Sequence, residues 1–248
     1  MAFKETLRTP DSSRLDNKEF IPDLLVELDR QRPGSGAECE PEEVIDWWHF
    51  CAYASQLQEL MEDEKVPLSK MDADAILKDA ERGLETDEEA EKMWNYTLYA
   101  SRMKKIGLLP KALQEKYREP AVAHIEKLRH DTRENVAWFL AFYLGHLSSI
   151  EENVDALVNE EDWKNFTEEA RGLLVSNPGY DHAMLLSRLL INLNQVNPEK
   201  TKQLIQTAGI SLSALLTDLK RKLMEEKEGG RQRFVLQYLE TLNALASV

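Results

Sequence analysis

Residues 181–209 read DHAMLLSRLLINLNQVNPEKTKQLIQTAG, and this stretch decides the fold class. Asp181 is a capping residue, and Met184, Leu185, Leu189, Leu190 and Leu193 follow it at the spacing of a helix with one apolar stripe. Asn197-Pro198 opens a second helix, because Asn caps well and Pro fits the first turn; Gly209 closes it.

The same grammar extends in both directions. Downstream, Ser211 caps a helix reaching about Glu226, Gly229-Gly230 breaks it, and a last helix runs to the C-terminus. Upstream, Asn159 caps a helix bearing Trp163, Phe166, Ala170, Leu173 and Leu174, and Asn177-Pro-Gly179 forms the turn after it. The stretch Ala121–Ile150 reads as one long helix, strongly apolar from Val136 to Leu147, preceded by a short basic helix Lys111–Arg118 that Pro120 stops. Thr86 and Glu89 form a capping box before a helix through Trp94 and Met103, ended by Gly107. Ser69 caps a helix from Met71 to Leu84, and Pro41 starts one carrying Val44, Ile45, Trp48, Cys51 and Leu57. Phe20 to Leu28 give a short helix that Pro22 opens, and the segment from Arg32 to Ala37 is a break.

The fold class expected is all-α, with about ten helices joined by short loops. No alternating Val/Ile/Thr runs flank an Asn-Gly or Asp-Gly turn, so hairpins lack their signal. Residues 1–18 are polar and unpatterned and read as a loose arm; 19–248 form a single domain, with a division into two lobes near 150–160 left open. Helix starts near 87, 121, 160 and 198 recur every 34 to 39 residues, which fits a short α-solenoid of helical hairpins as well as an irregular bundle. No tetratricopeptide pattern holds at its offsets, since Leu98 stands where its Gly belongs.

Composition narrows the function classes. The chain has 248 residues, 42% hydrophobic, and a formal charge of −14. These values are globular, and no apolar run approaches the roughly 18 to 20 residues of a membrane span. The N-terminal sequence carries no apolar signal core, and two cysteines, Cys39 and Cys51, make no disulfide framework, so a cytoplasmic location is expected. Charge is uneven. Nine basic residues lie between Arg102 and Arg133 against four acids, whereas 151–169 holds eight acids and only Lys164.

Motifs for catalysis are missing: there is no P-loop, no Gly-x-Gly-x-x-Gly, no Gly-x-Ser-x-Gly and no Cys-x-x-Cys. None of the five histidines has Glu three residues before it, as di-iron bundles require. No catalytic residue, metal ligand or cofactor is therefore assigned. The leading expectation is a non-enzymatic interaction module (adaptor, assembly factor or regulatory subunit) that binds another protein or a second copy of itself. Its candidate docking residues are Arg102, Lys104, Lys105, Lys111, Lys116 and Arg118, on the basic face 102–133. The alternative is a small-ligand-binding protein or enzyme with a pocket among the aromatic helices 44–57, 90–103 and 136–147; its candidates are Trp48, His49, Trp94, Trp138 and His146. Nucleic acid is disfavoured by the net charge but kept open by the local basic clusters.

Overall fold

The computed structural model describes residues 17–34, 46–61, 64–86, 90–132, 135–174 and 181–248. Eleven α-helices and no strand occur among them. A 3-10 turn at Asn17–Glu19 leads into α1 (Ile21–Arg30), followed by α2 (Trp47–Leu60), α3 (Lys70–Thr86), α4 (Ala90–Lys105) and α5 (Lys111–Arg129). After α6 (Val136–Ser148) and a second 3-10 turn at Val154–Leu157 come α7 (Glu160–Leu174), α8 (His182–Val196), α9 (Pro198–Ala208), α10 (Leu212–Glu228) and α11 (Gln232–Leu245).

Most helix starts obey their local sequence. The side chains of Asp181, Asn197 and Ser211 accept from the backbone N–H groups of Met184, Lys200 and Ala214 at 3.1, 3.0 and 3.3 Å. Gly107 and Gly209 end α4 and α9 in the left-handed region, each with φ of 72°. Two reciprocal boxes open α3 and α7. The Asp72 N–H donates to Ser69 Oγ while Ser69 N–H donates to the Asp72 carboxylate, at 3.1 and 2.9 Å; Asn159 and Asp162 repeat the pattern at 2.9 and 3.0 Å.

Two boundaries differ from the sequence reading. α5 runs through Pro120 and ends at Arg129, and the expected helix 121–150 is divided there. Proline removes one backbone donor, but Ala121, Ile125 and Leu128 bury the turns that follow and hold the helix. The real break comes where Asn135 takes a left-handed φ of 61° and Val136 starts afresh. Likewise α2 begins at Trp47, with Asp46 accepting from His49 N–H at 2.7 Å. Residues 41–45 of the helix expected to start at Pro41, residues 1–16 of the expected arm 1–18, the Thr86–Glu89 box, the turn at 177–179 and Cys39 lie outside the described residues, while Asn17 and Lys18 of the arm fall in the first 3-10 turn.

One continuous apolar cluster runs from Phe20 to Leu245. α6 sits at its middle, packed against α4, α5, α7 and α8, which accounts for aromatic residues around more than one of its faces. Its Tyr143 is fully buried, donating to the Ala121 carbonyl at 3.1 Å and accepting from Thr97 at 3.0 Å. α6 and α8 come close together at Gly145, where an added Cβ would stand 2.7 Å from the Cα of Asn192. The last helix, α11, packs on α1 and α2 as well as on α8 and α10. A solenoid repeat touches only its neighbours, so this return of the chain makes the array a closed bundle. No helix among the described residues is long and apolar enough to cross a membrane.

Candidate functional site

The structure divides the basic stretch between interior and surface. Arg102 turns inward from α4: its Nη1 donates to Glu240 Oε1 of α11 at 2.8 Å and lies 3.4 Å from Ser55 Oγ. Gln56 donates to the other oxygen of Glu240 at 2.6 Å, and Lys105 pairs with Glu59. Burial alone would raise the Glu240 carboxyl, but the cations Arg102 and Lys105 override it and hold it well below the carboxylate range. Arg102 is thus a strut between helices and not part of a free docking face. Arg129 is committed too, donating to the Asp162 carboxylate at 2.7 and 3.1 Å and to the Leu157 carbonyl. Lys104 and Lys111 remain exposed, and the side chains of Lys116 and Arg118 lie outside the described set.

Of the aromatic-helix candidates, Trp138 and His146 meet on Phe142, while Trp48 and His49 adjoin each other at the start of α2. His49 Nδ1 stands 2.7 Å from Asp46 at the start of α2, and Trp48 packs on Tyr99 with ring centroids 5.6 Å apart. Trp138 donates its indole N–H to the Leu185 carbonyl at 2.9 Å and stacks on Phe142. His146 is buried, with Nδ1 3.0 Å from Ser101 Oγ and its ring against the edge of Phe142. Burial drives its pKa well below 6.5, and the nearby Arg102 and Lys105 push it further the same way. It is a neutral core histidine bonded to a hydroxyl. The side chain of Trp94 lies outside the described residues.

A cleft of about 730 Å³ opens elsewhere, between the end of α5, the start of α6, α7 and the start of α8. Its floor is apolar: Leu128, Val136, Ala137, Leu140, Phe166 and Leu173. Its rim is acidic, with Glu161, Asp162, Glu168 and Glu169 opposed only by Arg129 among the charged lining residues, apart from His182. Arg129 is neutralised by Asp162, so three carboxylates carry the net charge. Glu161 has an exposed pairing to Lys164 at 3.3 Å, whereas Glu168 and Glu169 have no cation within 4 Å among the described residues. Glu169 is half-buried, and that burial raises its carboxyl pKa.

The local fold places these groups by one anchor. The Asn159–Asp162 box starts α7, and Arg129 grips the same Asp162, fixing α7 against the end of α5. From that start Glu161, Asn165, Glu168 and Gly172 fall at i, i+4, i+7 and i+11, on a single stripe facing the cleft. The acidic run 151–169 is the sequence signal that bears on this site; the cleft itself needs α5, α6 and α8 brought alongside.

Chemically, an apolar floor with a carboxylate rim suits a partner that is apolar on one side and cationic at its flank. Among the described residues no group of three or more His, Cys, Asp or Glu side chains stands close enough to hold a metal ion. Compared with protein-family models, with curated proteins and with solved structures, the chain matches none.

Proposed function

We propose that this protein is an interaction module that docks a segment of another polypeptide in the cleft between α5, α6, α7 and α8. A single observation carries this reading: the cleft combines an apolar floor with a carboxylate rim in which Glu168 and Glu169 have no cation within 4 Å among the described residues. Within one chain such carboxylates gain nothing from facing one another, and a cationic partner would relieve their repulsion. The reading places docking on an acidic face, because Arg102 and Arg129 of the basic stretch are occupied within the fold.

A volume of this size also fits a small molecule, so the test separates the two. A photo-crosslinking amino acid is introduced at Asn165, on the rim, and at Lys220, exposed on α10, in the native host. Docking gives a polypeptide adduct of defined mass from position 165 alone, lost when Gly172→Phe fills the cleft. Identical adducts from both positions, or an added mass no greater than a small metabolite, would overturn the proposal.

A further inference from the structure

Gly172 sits inside α7, where glycine is a poor helix former, yet a Cβ built there would meet no atom of the described residues within 4 Å. Nothing among the described residues therefore requires it to lack a side chain. It lies on the cleft, on the same stripe as Glu161, Asn165 and Glu168. Such a stripe, repeating at four and three residues and ending in a glycine, has the form of a seam at which another helix can approach the α7 backbone.

The carboxylate spacing indicates what kind of segment fits. Glu161 and Glu168 are seven residues apart, about 10.5 Å along the axis at 1.5 Å per residue. A compact organic cation does not reach both. In an extended peptide, side chains on one face recur about every 6.8 Å, so 10.5 Å falls between the same-face positions two and four residues beyond the first. In a helix laid along α7, side chains seven residues apart share a face and have the same spacing. Val136, Ala137 and Leu173, the partly exposed apolar residues of the lining, supply the surface for its apolar stripe.

We infer that the cleft receives a basic amphipathic helix of a partner protein, with Lys or Arg residues seven apart on Glu161, where one takes the place of the exposed Lys164, and on Glu168, and with its backbone close to α7 at Gly172. This rests on the docking reading and adds the partner's charge, conformation and point of closest approach.

The experiment uses the full chain and a fluorescein-labelled, lactam-stapled helical peptide with a leucine stripe and two lysines seven residues apart, read by anisotropy. Binding is expected to weaken at least tenfold, about 1.4 kcal/mol, in Glu161→Lys/Glu168→Lys, and to return when the peptide lysines become glutamates. Both positions are exposed, so the fold survives the change. Moving the peptide lysines five residues apart should cost a similar factor. Gly172→Ala should raise the melting temperature by about 2 °C or more, as expected for glycine in a helix, while weakening the peptide at least tenfold. Equal binding of acidic and basic peptides, or unchanged affinity in Gly172→Ala, would overturn the inference. If neither peptide binds while Asn165 still yields a polypeptide adduct, the basic helix is wrong and docking stands. No polypeptide adduct from Asn165 would sink both.

Discussion

Arg102 and Glu240 lie 138 residues apart in sequence and 2.8 Å apart in space, joining α4 to α11 inside the bundle. Both side chains are nearly sequestered, at 11% and 12% exposure. Removing one partner strands the other charge in a poorly hydrated place. Arg102→Ala and Glu240→Ala are each expected to cost about 3 kcal/mol, measured by denaturant unfolding. The paired change Arg102→Met/Glu240→Leu should recover most of that loss. If either single alanine costs under about 1 kcal/mol, the pair is not a strut.

His146 is expected to make stability fall in mild acid. Its folded pKa lies well below 6.5, because burial and the adjacent Arg102 and Lys105 disfavour the imidazolium. Below pH 6.5 the unfolded chain binds a proton that the folded chain refuses, so stability present above that pH declines as acid is added. The slope from one such group is at most about 1.4 kcal/mol per pH unit. His146→Gln keeps a polar partner for Ser101 and should flatten the melting-temperature profile between neutral pH and the carboxylate range. An unchanged profile would show that other groups set the acid limit.

Two helix glycines should respond with opposite signs to the same substitution. At Gly145 a Cβ would lie 2.3 Å from Asn192 Oδ1 and 2.7 Å from its Cα, so α6 and α8 must part. Gly145→Ala is expected to destabilise by about 2 kcal/mol, as overpacked cores do. At Gly172 the space is open, and alanine should stabilise by about 0.5–1 kcal/mol. Chemical denaturation of the two variants side by side checks this; the same sign for both would refute the α6–α8 contact.

Cys51 should be chemically silent in the native state. It is fully buried, and burial pushes its thiol pKa upward, away from the reactive thiolate. In a Cys39→Ser background, a colourimetric thiol reagent is expected to read no fast thiol until denaturant is added. Prompt native labelling would mean that α2 opens readily.

The caps show what could be read in advance. Ser69, Asn159, Asp181, Asn197 and Ser211 each bind a backbone N–H three residues ahead, an interaction confined to the chain that encodes it. Pro120 marks the limit of that logic: its local cost argues for a stop, but burial of Ala121, Ile125 and Leu128 carries α5 onward. The division between α5 and α6 follows Arg129, whose partner Asp162 is 33 residues away.

By itself, then, the sequence determined the helical class and most of the helix ends, since these depend on hydrogen bonds and periodicity within a few residues. The tertiary structure alone decided that the ends meet through α11, that Arg102 faces inward, and that α7 presents its carboxylates to a cleft. A charged side chain looks the same in sequence whether it will meet water or a counter-charge. Its role depends on which distant helix removes its water, and that is fixed only when the bundle closes.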